Sequence, residues 1–255
     1  MKIAYCGFGR AGLECFYQLV SSLNIEMNDV IVFTHDVEEN REFIEHLKHN
    51  NVRYFCDSIN NHYEDLVLFK PDLLLSIYYR FIIKSELLKL VNYKAMNLHP
   101  SLLPAYRGAK SSVWALLNGE RETGITFHYI TELVDEGNII FQEKIDILET
   151  DTAFSLYNKL ISLFIYNFTN ALTMLISNYS GEVQKGVASY YERKLPFSGK
   201  KHFEKTTYDE AKKFVKAMYF PPYKGASFSS DKHETVEVET IKDLKKYKNL
   251  FMEEK

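Results

Sequence analysis

The stretch "KIAYCGFGRAGLECFYQLVSSL", Lys2–Leu23, decides the fold of this chain. A short β-forming run enters a glycine turn, and the turn opens straight into apolar residues at helical spacing. A strand that turns at once into a helix is the opening of a βαβ unit. The pattern continues outward. "DVIVFTH" (Asp29–His35), "VRYFC" (Val52–Cys56), "DLLLSIYY" (Asp72–Tyr79) and "KAMNLH" (Lys94–His99) read as strands with helical sequence between them. This alternation predicts an α/β protein with a Rossmann-like, mostly parallel, twisted sheet.

A second block carries "GITFHYI" (Gly124–Ile130) and "GNIIFQEKIDI" (Gly137–Ile147) as strands, then the longest helix from about Thr150 to Ser177, with an Asp or Thr cap. From Ser189 the character changes to a short helix at Thr207–Met218, "FPPYKGASF", "ETVEVET" and a last helix. The expected division is a domain over 1–188 and a small C-terminal α+β extension over 189–255. Most of the tail aromatics Tyr190, Tyr191, Phe214, Tyr219, Phe220 and Tyr223 are expected in a core.

Composition narrows the class. The chain has 255 residues, 46% hydrophobic, enough for a sizeable core. A net charge of −3 with dispersed Lys and Arg argues against nucleic acid as a partner. Three cysteines (Cys6, Cys15 and Cys56) fit no zinc spacing and suggest a reduced, cytoplasmic protein. Apolar runs are expected to fall short of the roughly 20 residues that span a bilayer.

Two stretches carry chemistry. In "GFGRAG", Gly7, Gly9 and Gly12 stand as G-x-G-x-x-G between strand and helix, with Asp36 after the second strand. That is the context of a dinucleotide site, and equally of any tight strand-to-helix turn. In "MNLHPSLLPAYRG", Asn97 and His99 lie two apart at a strand end, so they share a face. "VDEGNII" adds Asp135 in a turn. A histidine that moves a proton, a carboxylate that orients it and an amide that donates to an oxyanion suit acyl transfer. A buried structural histidine beside a turn asparagine fits the spacing as well, and His128 on its strand reads as structural.

"NLHPSLLPAYRG" followed by "WALLNGERETGITFHYITELVDEGNII" resembles the formyltransferases that use N10-formyltetrahydrofolate. "ETDTAFSLYNKL", "ASYYERKLPFSG" and "FVKAMYFPPYKGASF" extend the likeness to those acting on sugar nucleotides. The resemblance implies a catalytic trio of Asn97, His99 and Asp135. It implies folate contacts at Ser76, Ile77, Tyr78, Arg80, Ile82 and Asp135, and substrate contacts at Tyr78, Arg107, Lys110 and Tyr223. It implies no metal, a homodimer, and a role in O-antigen or lipopolysaccharide synthesis. The implied acceptor is a nucleotide-linked 4-amino-4,6-dideoxyhexose, GDP-perosamine first. Alternatives are a dTDP-linked 3- or 4-amino sugar, a methionyl-tRNA-type formyltransferase, or an NAD(P)-binding Rossmann protein.

Overall fold

A computed structural model describes residues 1–230 and 235–253. In chain order the first strands and helices are β1 (Ile3–Gly7), α1 (Gly9–Leu23), β2 (Val30–Phe33), α2 (Arg41–His49) and β3 (Arg53–Phe55). Next come α3 (Tyr63–Phe69), β4 (Leu73–Ile77), α4 (Ser85–Leu90), β5 (Ala95–His99), β6 (Arg107–Gly108) and α5 (Ser111–Asn118). They are followed by β7 (Glu122–Tyr129), β8 (Ile139–Asp146) and α6 (Ala153–Ile176). The last are β9 (Tyr190–Tyr191), β10 (Lys200–His202), α7 (Tyr208–Met218), β11 (Ala226–Ser229), β12 (Val236–Val238) and α8 (Ile241–Leu244). Glu234, at the head of the expected "ETVEVET" strand, lies outside the described residues.

The chain divides into two interleaved compact units. The first takes Met1–His99, Ile125–Glu143 and Ile161–Val187; the second takes Pro100–Gly124, Lys144–Leu160 and the chain from Ala188.

The first unit holds the expected sheet, in the order β3-β2-β1-β4-β5-β7-β8. The pairs from β3 to β5 are parallel, and β7 joins antiparallel to β5. β1, β2 and β4 are buried along their whole length and almost entirely apolar, Ser76 of β4 being the polar exception, as strands covered on both faces must be. The glycine turn has its own local logic. A Cβ on Gly12 would sit 2.9 Å from the Gly7 carbonyl carbon, and Gly9 takes φ +61°. The Gly9 N–H is met by Asn40 Oδ1 at 2.9 Å, a buried side chain that also donates to the His35 carbonyl. The turn is thereby closed by the protein's own carboxamide.

The second unit has the three-stranded sheet β10-β11-β12 and the two-stranded β6-β9. Phe203, Phe214, Phe228 and Phe251 form its aromatic core, with ring centroids 5.0–5.7 Å apart. α7 starts at a capping box, Thr207 with Glu210, as its sequence predicts. The tail aromatics depart from expectation. Phe214 is fully buried, whereas Tyr190 is exposed and Tyr219 and Phe220 are only half-buried; Tyr223, the one expected to face a ligand, is exposed. The short strands and Pro-rich turns offer too little cover for all six.

One further expectation is corrected. No apolar run of bilayer-spanning length was expected from the sequence, but α6 is long and apolar enough, by length and composition, to span one. Asn, Ser, Thr and Lys interrupt its apolar residues. Leu156, Leu160, Phe164, Phe168, Leu172 and Leu175 are buried in protein, the arrangement of a core helix.

Candidate active site

The site in the first unit begins with strand register. β4 and β5 pair Ser76 with Asn97, and β5 and β7 pair Asn97 with His128. Directly paired residues share a face, so the three side chains form a row across the sheet. The row is hydrogen-bonded throughout. Ser76 Oγ donates to Asn97 Oδ1 at 2.9 Å, and Asn97 Nδ2 lies 3.1 Å from His128 Nε2. His128 Nδ1 lies 2.8 Å from the Tyr129 carbonyl oxygen. His99, two residues beyond Asn97, stands at the end of β5.

The turn after β7 brings in the carboxylate. Asp135 Oδ2 is 3.3 Å from His99 Nδ1, and its Oδ1 is 3.5 Å from His128 Nε2. The turn is tightly specified. Asp135 takes φ +57°, a left-handed conformation that Asp tolerates better than most residues. At Gly137 a Cβ would fall 1.8 Å from the Tyr129 carbonyl oxygen, so only glycine fits. Gln184 Nε2 donates to the carbonyls of both Asp135 and Gly137 at 2.8 Å. His99, His128 and Asp135 are all buried, and a carboxylate removed from water requires partners of this kind.

Sequence reasoning placed Asn97, His99 and Asp135 in one crevice, and the structure brings these three together. It missed His128, which joins the same cluster. His128 was visible on a strand in "GITFHYI", but the antiparallel register that sets it opposite Asn97 was not. Ser76, expected to meet a folate, spends its hydroxyl on Asn97.

The loop after β4 is held from several sides. Tyr78 takes φ +58°, and its ring meets Phe164 edge-on at 5.8 Å. The Arg80 N–H donates to His35 Nε2 at 3.2 Å, and its guanidinium lies 3.7 Å from the Phe8 ring centroid. Burial, and then the Arg80 charge, push the His35 pKa down to about 4, which keeps it a neutral acceptor. Asn60 accepts from the Lys84 N–H and donates to the Ile82 carbonyl at 2.8 Å. Ile77 is fully buried, so only its backbone can face a ligand; the Ile82 side chain is 72% exposed.

Arg107, Lys110 and Tyr223 belong to the second unit. Arg107 pairs with Tyr190 between β6 and β9. Lys110 precedes α5 at φ +60° and is exposed. Tyr223 follows the Pro221-Pro222 pair and is exposed. In the same unit Tyr191 stacks on Tyr106 with ring centroids 5.2 Å apart and lies tilted against Trp114 at 4.5 Å.

A mostly parallel sheet with an Asn-His-Asp cluster at its strand ends defines a class, and comparison with known proteins agrees with it. The formyl transferase model matches residues 32–164. A GDP-perosamine N-formyltransferase of Brucella melitensis is 36% identical over 236 residues, covering 90% of this chain and 89% of the relative. The crystal structure of an N-formyltransferase from Helicobacter canadensis, with folinic acid and dTDP-3-aminofucose, superposes with TM-score 0.75 at 25% identity, covering 91% and 85% of the two chains. A 4-N formyltransferase from Francisella tularensis superposes with TM-score 0.77 at 23% identity, covering 93% and 96%. The chain belongs to the formyl transferase family, and its sheet is the formyltransferase fold. It is an N-formyltransferase.

Proposed function

We propose that this enzyme transfers the formyl group of N10-formyltetrahydrofolate to the amine of a nucleotide-linked 4-amino-4,6-dideoxyhexose, with GDP-perosamine as the first candidate. The observation that carries the reading is the contact of His99 with Asp135 on the strand that also presents Asn97. Similarity to the Brucella enzyme along nearly the whole chain supports the sugar nucleotide.

Each residue then has a defined task. Asn97 donates an amide N–H to the oxygen that gains negative charge as the amine adds to the formyl carbon. His99 holds Nδ1–H toward Asp135, so Nε2 exchanges the proton. It accepts the proton that the amine sheds as the new C–N bond forms. It returns that proton to N10 as the old C–N bond breaks, so the proton count closes. Asp135 keeps the imidazole in this tautomer and favours its charged form between the two steps.

The loop Ser76–Ile82 at the end of β4 fits a folate contact, since ligands of parallel sheets bind at strand carboxyl ends. The exposed Phe81 and Ile82 offer apolar surface to a ring. Tyr78, Arg107, Lys110 and Tyr223 are assigned to the sugar nucleotide, with Arg107 and Lys110 as cations for a diphosphate. A cytoplasmic homodimer serving surface-glycan synthesis completes the reading.

The dTDP-3-aminofucose complex of the Helicobacter enzyme favours one second reading, a dTDP-linked 3-amino sugar. A panel of GDP-, dTDP- and UDP-linked 3- and 4-amino sugars with N10-formyltetrahydrofolate separates the two. The measurement is the 28 Da mass gain that defines formylation, taken as about that of one carbonyl group. Formylation of the GDP-linked 4-amino sugar with the highest kcat/KM is expected. No formylation of any member overturns the proposal.

A further inference from the structure

We infer that His128, held as the Nδ1–H tautomer, is the positioning residue that fixes which end of the Asn97 carboxamide faces the reaction. The inference rests on the reading of Asn97 as the oxyanion donor.

The tautomer follows from a contact outside that reaction. His128 Nδ1 lies 2.8 Å from the carbonyl oxygen of Tyr129. A carbonyl oxygen only accepts, so Nδ1 carries the hydrogen. In the neutral ring Nε2 then carries a lone pair and can only accept. Asn97 Nδ2, 3.1 Å away, is its donor.

The other end of the carboxamide does not settle its orientation. Ser76 Oγ, 2.9 Å from Asn97 Oδ1, is a hydroxyl that both donates and accepts. It would serve a carboxamide turned either way. His128 Nε2 would not: a turned Asn97 sets oxygen against a lone pair. The handedness of Asn97 therefore comes from the histidine. It leaves the second Nδ2 hydrogen without a partner among the described residues, which is what an oxyanion donor requires.

Asp135 sets the competing state. Its Oδ1 stands 3.5 Å from His128 Nε2, longer than the contact to Asn97. A proton on Nε2 would point toward that carboxylate and withdraw the acceptor that Asn97 uses. The ring is kept from this arrangement by the carbonyl at Nδ1 and the amide at Nε2 together. His128 is buried, so water does not compete for either nitrogen.

The tautomer is read directly in the intact enzyme. In protein labelled with 15N-histidine, long-range proton–nitrogen correlation assigns a protonated Nδ1 and an unprotonated Nε2 to His128, with the signal identified by its loss in His128→Gln. A protonated Nε2 at the pH of the assay overturns the inference.

Kinetics supply a second measurement. A glutamine can present its amide oxygen where Nε2 stood, so His128→Gln is expected to keep kcat within about threefold. His128→Leu removes the acceptor and is expected to lower kcat on the order of 100-fold, with KM for both substrates held within about threefold. In the Leu background, Asn97→Ala should cost little more, because the two act as one unit. Full multiplication of the two single effects, or an unimpaired His128→Leu enzyme, overturns the inference. Asn97→Ala alone serves as the control. If it is fully active, the reading of Asn97 falls, whereas the NMR result still judges the tautomer.

Discussion

His99 Nδ1 lies 3.3 Å from Asp135 Oδ2, with both side chains buried, although 36 positions separate them along the chain (135 minus 99). A carboxylate this close sets the ring tautomer and favours the charged ring. Asp135→Asn should therefore lower kcat by about 100-fold or more while changing KM by less than about threefold. His99→Ala should fall at least as far. Steady-state kinetics with saturating folate test both. An Asp135→Asn enzyme at wild-type kcat would remove the proton-transfer role.

The turn that delivers Asp135 depends on a missing Cβ. An alanine at 137 would press on the Tyr129 carbonyl, which His128 Nδ1 also uses. Gly137→Ala is expected to lose about 2–4 kcal/mol of stability. It should also lower the activity of the fraction that remains folded. Urea unfolding followed by circular dichroism checks the first, and kcat per folded molecule the second.

A surface cluster gives a pH dependence of stability. His62 lies 2.7 Å from Asp57 and 3.0 Å from Asp65. Burial pushes its pKa down, but hydrogen bonds to the two carboxylates outweigh that and raise it above the ordinary 6.5. A hydrogen bond from Asn61 and then one from His62 lower Asp57, and the His62 bond chiefly lowers Asp65. A raised histidine pKa contributes stability that is complete below 6.5 and lost as pH climbs through the folded value. The depressed carboxylates contribute above 3.8 and lose it as pH falls through theirs. Wild type should exceed His62→Gln by about 2–4 °C in Tm near pH 5.5, the scale of a surface ion pair. The gap should close by about pH 9, well past the histidine range. Differential scanning calorimetry across that range tests the sign.

Asp151 anchors the start of α6 from within the protein. It is buried, and it accepts from Lys159 Nζ at 2.7 Å, Ser155 Oγ at 2.7 Å and the Leu148 N–H at 2.8 Å. Burial would raise its pKa, but the bonds from Lys159 and Ser155 prevail and lower it. Asp151→Ala leaves these donors unmatched and should cost about 2–3 kcal/mol. The denaturant midpoint should fall with an unchanged slope.

The order of strands and helices was legible in the sequence because periodicity is a local property. β1 and α1 follow "KIAYC" and "AGLECFYQLVSSL", and α7 follows its Thr207 cap. So was the convergence of Asn97 and His99, two apart on an extended strand end. The local spacing of "GFGRAG" left two readings open, and only the family resemblance set the dinucleotide one behind the other. Asn40, distant in sequence, closes the turn with a side chain that no local pattern predicts. Tail aromatics such as Tyr190 were misjudged for the same reason, since burial depends on what the rest of the chain lays over them.

From sequence alone came the element types, the family likeness and the three residues proposed as the catalytic trio. Only tertiary structure decided that His128 stands opposite Asn97, that Ser76 grips the same amide, and that Gln184 clamps the Asp135 turn. The physical reason is register. Which residues meet across neighbouring strands follows from pairing between distant segments, and a slip of one residue would turn every one of these side chains to the other face.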